Sequence, residues 1–415
     1  MTQEAKLVTS FDKIAGVLLG TAVGDALGLP YEGLPPDRLD TYLRGDLRHR
    51  FFFGHGMVSD DTEHACMTAQ ALLASAGDPD AFVRSLGWRL RFWLLGLPAG
   101  IGRATLRAIV KLWIGFPPEK SGVFSAGNGP AMRAPILGAF LANAMMGGQD
   151  EERESEDRLS TFVRYSTRIT HTDPRAEEGA LAVALAAAYA LRRTSSTNDI
   201  NDTNIDIIDI KKFLTLLRAR MNGKELIELL ELVESHLIQG SSPGALVESM
   251  SLAHGISGYI NHTVPVALFC WLRWPGDFRR AISEVIRLGG DTDTTAAITG
   301  ALVGATIGAS GIPQEWVAGI MEWPRSVTWI KELTNQLVQF LPLVQYSPKC
   351  SSRSAGSARS AGSAGLVKPA ESTDRSCPGP LSLFWPAIFP RNLFFLLVVL
   401  AHGFRRLLPL PLCSL

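Results

Sequence analysis

Helical apolar spacing recurs along most of this chain and constrains its fold more than any other feature. Apolar residues three and four positions apart recur in Ala- and Leu-rich segments such as EHACMTAQALLASA, RAEEGALAVALAAAYALRR and KELIELLELVESHL. Alternating strand patterns are scarce, and Gly and Pro fall between the helical segments. We therefore predict an all-α fold built from many short helices.

Composition divides the chain into three parts. Residues 1–345 carry the helical pattern, residues 346–380 form a low-complexity Ser/Ala/Gly/Arg linker, and residues 381–415 form an apolar tail that contains proline. The longest unbroken apolar run of the tail, 393–401, has nine residues, whereas a membrane-spanning helix needs ~20. Packing on the domain, peripheral membrane contact and a dispensable extension are all compatible with this pattern. We favour a dispensable extension and expect no membrane contact.

Charge and cysteine content narrow the cellular setting. The 40 basic residues balance the 40 acidic residues, which argues against a nucleic acid as the main partner. The five cysteines have no paired spacing, and the N-terminus lacks the apolar run of a signal peptide. We expect a cytoplasmic protein that is a monomer.

Two acidic clusters each precede a helical segment. GGDTDTT (289–295) contains Asp291 and Asp293, and SDDTEH (59–64) contains Asp60 and Asp61. A helix cap needs only one such residue, and two neighbouring carboxylates repel each other unless a positive charge neutralises them. Carboxylate and hydroxyl oxygens favour Mg²⁺ or Mn²⁺ over Zn²⁺, and neither cluster has the spacing of an EF-hand loop.

Three further stretches are candidates for a binding site. GVLLGTAVGDALGLPYEG (16–33) places Asp25 in a Gly-rich turn and Glu32 seven residues later. SAGNGPAMRAP (125–135) is a turn whose amides can face an anion, and THTDPRAEEGA (170–180) contains His171. Each also has a plain structural explanation, such as close helix packing for the glycines or capping for His171. The turn lacks the lysine of a P-loop, and we expect Arg133 beside it to be a buried ion-pair partner.

Taken in order, these five stretches resemble the ADP-ribosylglycohydrolase family, which includes the dinitrogenase-reductase-activating glycohydrolase and the ADP-ribosylhydrolases. The matching segments extend from residue 11 to about residue 323 and include LGGDTDTTAAITGALVGATIGASGIPQEW. The resemblance implies a compact multi-helix, all-α domain with a binuclear Mg²⁺ or Mn²⁺ centre in a cleft.

The resemblance also implies roles for individual residues. The implied metal ligands are Ser59, Asp60, Asp61, Asp291, Asp293 and Thr294. Glu32 is the implied catalytic carboxylate, with Asp61 as the alternative. The implied ligand-binding residues are the diphosphate loop Ser125, Ala126, Gly127, Asn128 and Gly129, and His171 near the adenosine.

The implied activity is hydrolysis of the bond at C1 of the distal ribose, which releases ADP-ribose from an ADP-ribosylated protein or small molecule. Such a reaction passes through an oxocarbenium-like ribose, which nearby negative charge stabilises. The alternatives are a catalytically silent, crystallin-like relative, a metal hydrolase acting on a phosphate ester, and an interaction protein built around the basic tail. Because all four aspartates of the two clusters are present, we favour an enzyme, and the ADP-ribose linkage that it cleaves stays open.

Overall fold

The computed structural model describes residues 3–43, 45–142, 149–192, 207–345 and 381–407. These ranges contain helices and isolated β-bridges between loops but no strand, so the prediction of an all-α fold is confirmed. The α-helices are α1 Gln3–Gly28, α2 Pro36–Tyr42, α3 Asp60–Ser75, α4 Pro79–Leu95, α5 Arg103–Trp113, α6 Gly129–Met132, α7 Ala134–Ala142, α8 Gln149–Arg168, α9 Pro174–Arg192, α10 Ile207–Arg218, α11 Lys224–Ile238, α12 Pro243–Ser249, α13 Ile260–Arg273, α14 Phe278–Arg287, α15 Thr292–Ile307, α16 Gln314–Ala318, α17 Val327–Gln345 and α18 Ile388–Leu407.

The central helices α1 and α15 touch backbone to backbone. A Cβ atom on Gly20 would lie 2.1 Å from the carbonyl oxygen of Gly300, and one on Gly16 would lie 2.1 Å from that of Gly304. These contacts advance along α1 as they retreat along α15, so the helices are antiparallel. Small residues at four-residue spacing on both helices permit this close approach.

This pairing sets the position of the acidic residues. The C-terminal end of α1 carries Asp25, and the N-terminal end of α15 carries Asp293. Because the helices are antiparallel, the two ends lie side by side. The first residues of α3 meet them there, since the backbone N–H groups of Ser59 and Thr62 donate to Asp25. Three helix ends therefore converge at one place.

One large hydrophobic core fills the domain, and a smaller cluster joins the C-terminal helix to it. Buried residues of α18, Phe395 and Val398, pack with Leu29, Phe51 and Met57. Residues 381–407 therefore lie against the domain, which is one of the three arrangements that the sequence left open. The predicted linker, 346–380, and residues 408–415 lie outside the described residues.

By length and composition alone, two helical segments among the described residues could cross a membrane. In the first segment, 11–31, residues 14–31 are all buried in the core, as expected for a central helix of a globular domain. The second segment, 385–404, is only 28% buried within the protein. This segment is longer than the 393–401 run because it includes residues on both sides of the run, among them Trp385, Phe389 and Phe404.

Candidate metal and substrate site

Three buried aspartates form the centre of the site. Carboxylate oxygens of Asp25, Asp61 and Asp293 all lie within 4.8 Å of one another. They come from the end of α1, the start of α3 and the start of α15. The fold thus brings the two acidic clusters of the sequence into contact. It adds a third carboxylate, Asp25, to which the sequence assigned no role.

Asp25 holds the start of α3. Its carboxylate accepts from the N–H groups of Ser59, at 2.9 and 3.0 Å, and of Thr62, at 3.2 Å, and from the Thr62 hydroxyl at 2.6 Å. These donors are among the N–H groups that a helix start leaves without intrahelical partners. Burial raises the pKa of Asp25 to about 6, although these hydrogen bonds act in the opposite direction.

Asp61 offers an oxygen to a ligand. Its Oδ2 accepts from the hydroxyl groups of Ser59, at 3.2 Å, and of Thr294, at 3.1 Å. Its Oδ1 is buried and has no hydrogen-bond partner among the described residues. Burial, Asp25 and Asp60 raise its pKa well above the ordinary value. An unpartnered buried carboxylate oxygen is costly unless a cation or a proton binds it.

The start of α15 supplies the opposite side of the site. Asp293 is buried, and burial followed by repulsion from Glu32 and Asp291 raises its pKa well above the ordinary value. Asp60 and Asp291 are less buried and lie outside the group of three. Asp291 is the N-cap residue of α15, but its side chain makes no capping hydrogen bond. The simple capping explanation therefore does not account for this carboxylate.

Glu32 lies on a short loop beside the second acidic cluster. The N–H of Gly33 donates to the carbonyl of Gly290 at 2.7 Å, which ties the loop to the residue before Asp291. The side chain of Glu32 is exposed, but the surrounding protein removes part of its hydration; this desolvation and the charge of Asp291 raise the pKa of Glu32, whereas Arg406 lowers it. The structure thus places the predicted catalytic carboxylate next to the predicted ligands.

The Ser125–Gly129 loop contacts the acidic site through Asn128. Its Nδ2 donates to Asp291 Oδ2 at 2.7 Å and to Thr263 Oγ1 at 2.9 Å. The N–H of Asn128 donates to the carbonyl of Gly258. The N–H of Gly127 donates to Ser125 Oγ. Two of the amides that the sequence suggested for an anion are therefore already bonded within the protein.

His171 lies under the same loop. A Cβ atom on Gly127 would lie 3.0 Å from its Nε2, and one on Gly129 would lie 3.3 Å from its Cε1. Burial lowers the pKa of His171 to about 3, so the ring is neutral at physiological pH. Its Nδ1 lies 2.9 Å from the hydroxyl of Thr170. The neutral ring of His171 therefore packs against the Ser125–Gly129 loop.

Arg133 was expected to be a buried ion-pair partner; it is buried, but no carboxylate of the described residues forms an ion pair with it. The buried guanidinium donates to Ser166 and Thr170 and lies 3.2 Å from Nδ1 of His64. Burial lowers its pKa to about 9. Hydrogen bonds to neutral groups satisfy it because the neighbouring helices present hydroxyl and carbonyl oxygens there.

A second charged network lies behind the first acidic cluster, and no sequence pattern predicts it. Glu63 accepts from Arg325 at 2.5 Å and from the Trp93 indole at 2.6 Å. Arg325 and Arg391 lower the pKa of Glu63 against the effect of burial. This carboxylate is neutralised by the protein, which separates its role from those of Asp60 and Asp61.

The residues present fit a divalent cation. The donors are carboxylate and hydroxyl oxygens, which suit Mg²⁺ or Mn²⁺. Mutual repulsion among the buried carboxylates and the unpartnered Asp61 Oδ1 are the features that a bound cation would relieve. The sequence did not identify Asp25 as a site residue, because a single aspartate after regularly spaced glycines is also typical of a helix end. Its only signal was its position directly after the glycines at 16, 20 and 24.

Comparison with known proteins gives the family. The ADP-ribosylglycohydrolase family matches residues 7–345. The human ADP-ribosylhydrolase ARH3 is 28% identical over 345 residues, covering 74% of this chain and 88% of the human protein. The ADP-ribosyl-[dinitrogen reductase] glycohydrolase of Rhodospirillum rubrum is 24% identical over 321 residues, covering 74% of this chain and 90% of the relative.

A solved structure agrees with this assignment. A chain described as an ADP-ribosylglycohydrolase-related protein complex superposes with a TM-score of 0.58 and 26% identity. The match covers 80% of the present chain and 99% of that chain. The resemblance seen in the motifs is thus confirmed over nearly the whole helical domain. The present chain belongs to the ADP-ribosylglycohydrolase family and is an enzyme of that family.

Proposed function

We propose that this enzyme is a metal-dependent hydrolase that cleaves the glycosidic bond at C1 of the distal ribose and releases ADP-ribose. The substrate would be an ADP-ribosylated protein or small molecule. The observation that carries the proposal is the convergence of Asp25, Asp61 and Asp293 at three helix ends. Glu32 lies beside them and the Ser125–Gly129 loop contacts them.

Two Mg²⁺ or Mn²⁺ ions would be held by oxygens from both acidic clusters. The proposed ligands are Ser59, Asp60, Asp61, Asp291, Asp293 and Thr294. Such ions would fix the hydroxyl groups of the ribose and polarise a water molecule. Asp25 has a different role in this arrangement, because its two oxygens are already occupied by donors from α3. It positions the ligands and adds negative charge behind them.

Glu32 is the proposed base that accepts the proton from water. It is exposed, so a water molecule can reach it, whereas Asp61 is buried and its Oδ2 is bonded to two hydroxyls. A raised pKa brings a carboxylate closer to the working pH, which improves proton transfer. The remaining carboxylates would stabilise the positive charge that develops on the ribose.

The Ser125–Gly129 loop and His171 would hold the ADP part of the substrate. The hydrogen bond from Asn128 to Asp291 joins this loop to a proposed metal ligand, so it would couple substrate binding to metal binding. Ala126 presents only a methyl group and so provides no aromatic ring that could stack on a ligand. A neutral His171 beneath the loop supports it without adding positive charge near the proposed cations.

Release of free ADP-ribose from arginine-linked and serine-linked substrates, with Mg²⁺ and with Mn²⁺, tests the proposal. Metal-dependent release from either substrate is the expected result, and comparison of the two identifies the linkage. Asp293→Asn should abolish the release, whereas Asp157→Asn, at an exposed site on α8, should not. Binding of metal and ADP-ribose without release from any linkage would favour the catalytically silent relative.

A further inference from the structure

The C-terminal helix α18 inserts an arginine into the interior of the domain. The Arg391 side chain is 4% exposed and forms two hydrogen bonds with Glu322, Nε to Oε1 at 2.8 Å and Nη2 to Oε2 at 2.7 Å. Its Nη1 also lies 3.8 Å from a carboxylate oxygen of Glu63. A planar guanidinium that binds a carboxylate through two parallel bonds has little freedom to move.

The same ion pair fixes the main chain just before the first acidic cluster. Arg391 Nη2 donates to the carbonyl of Val58 at 2.6 Å, and Glu322 Oε2 accepts from the N–H of Val58 at 3.2 Å. Both backbone polar groups of Val58 are therefore held by Arg391 and Glu322. Ser59 is the N-cap residue of α3, and residues 59–61 form the first turn of that helix. Because Val58 immediately precedes Ser59, the pair sets the point from which this 59–61 turn begins.

The charges around Arg391 balance. Glu63 and Glu322 are opposed by Arg325 and Arg391, and all four side chains are at most 5% exposed. Without Arg391, two buried carboxylates would share one guanidinium. Removal of one partner from a buried ion pair leaves an uncompensated charge, which the surrounding structure must move to accommodate. The segment most directly affected is 58–61, because Arg391 binds the carbonyl of Val58 at its start.

A second arginine of α18 reaches the loop that carries Glu32. Arg406 donates to the carbonyl of Pro30 at 2.7 Å and to that of Glu32 at 2.9 Å. Asn392, which follows Arg391 on the same helix, donates from its side-chain amide to the carbonyl of Gly96 at 2.7 Å. One helix thus contacts the ligand-bearing turn and the loop of the proposed base.

We propose that Arg391 and Arg406 are positioning residues of the active site. In this arrangement α18 is a working part of the enzyme, although the family match ends at residue 345. It is then not the dispensable extension favoured from the sequence. The inference rests on the proposed function for the roles of the 59–61 turn and Glu32.

Full-length Arg391→Met is the first test, with Arg287→Met on the exposed face of α14 as the matched control. Mg²⁺ affinity is measured by calorimetry, and amide hydrogen exchange is followed across 58–63. Arg391→Met should weaken Mg²⁺ binding about 10- to 100-fold, the usual effect of losing a group that orients metal ligands. Exchange across 58–63 should be faster, and Arg391→Lys should recover part of both losses. Wild-type affinity together with unchanged exchange would overturn the proposal.

A double variant separates positioning from simple charge balance. Arg391→Met combined with Glu322→Gln removes one charge of each sign, so the buried network stays neutral. The double variant should fold, yet its Mg²⁺ affinity should stay below that of wild type because the Val58 carbonyl still lacks its donor. If the double variant binds Mg²⁺ like wild type, Arg391 only balances charge and the proposal is overturned.

Kinetics of Arg406→Met test the second contact. We expect kcat for ADP-ribose release to fall about tenfold or more with little change in KM, because Arg406 holds the Glu32 loop and not the ADP-binding loop. Unchanged kcat would overturn this part. Absence of Mg²⁺ binding in wild type would refute the proposed function, whereas the exchange comparison would still decide whether α18 orders the 58–63 segment.

Discussion

Replacement of Asp293 by Asn should make the metal-free protein more stable near neutral pH, although it removes a proposed ligand. Two unit charges 4.8 Å apart repel by about 3.5 kcal/mol at an effective dielectric constant of about 20. Protons already neutralise part of this repulsion because the pKa of Asp293 is raised. The remaining gain should be about 1–3 kcal/mol, since Asn keeps the oxygen that accepts from the Thr294 N–H.

The order of stability should reverse when metal is added. A ligand at a hundredfold excess over its Kd stabilises the folded wild type by about 2.7 kcal/mol. Asp293→Asn should gain little from Mg²⁺, because one of the oxygens needed to bind it has become an amide. Asp157→Asn, which changes the same chemistry at an exposed site, should behave like wild type in both conditions.

Urea unfolding of chelator-treated protein, repeated with saturating Mg²⁺, measures both effects. The account predicts that Asp293→Asn is the more stable protein without Mg²⁺ and the less stable one with it. Metal-free Asp293→Asn that is clearly less stable than wild type would refute the claim that the carboxylates repel one another. Equal Mg²⁺ stabilisation of both proteins would refute the assignment of Asp293 as a ligand.

Three further predictions follow from individual contacts. Gly20→Ala should destabilise the fold by about 1–3 kcal/mol, because its Cβ would lie 2.1 Å from a carbonyl oxygen of α15; Gly403→Ala, which meets open space on α18, should be neutral or stabilising in the same unfolding assay. Burial raises the pKa of Asp25 from 3.8 to about 6, so its contribution to stability is fully present below pH ~3.8 and is lost as the pH rises to about 6. The metal-free stability of wild type relative to Asp25→Asn should therefore fall by about 3 kcal/mol between about pH 4 and pH 7, and a rise would contradict the assignment. Asn128→Asp should weaken ADP-ribose binding about tenfold or more, because it puts a carboxylate where an amide now donates to Asp291; wild-type affinity in calorimetry would exclude a role for this loop.

The helices and the two acidic clusters could be predicted from the sequence because both are local patterns. The glycines of α1 and those of α15 each fit a helix, yet their mutual contact joins segments far apart in the chain. The sequence therefore does not show that Asp25 would face Asp293. Asp25 became visible only when that contact placed the ends of the two helices together.

The C-terminal segment shows the opposite case, where a local pattern pointed away from the structure. The low-complexity linker before it and its short apolar run favoured a dispensable extension. Arg391 lies just before that run, and in the fold it is the group that enters the interior. Its partners, Glu63 and Glu322, are remote in sequence, so no spacing rule could have paired them.

The decisive experiment compares release of ADP-ribose by the purified wild-type protein and by Asp293→Asn, with and without Mg²⁺ or Mn²⁺. We expect wild type to release ADP-ribose from at least one linkage only when metal is present, and the variant to release none. Release that continues in the presence of a chelator, or that survives in Asp293→Asn, would contradict this expectation.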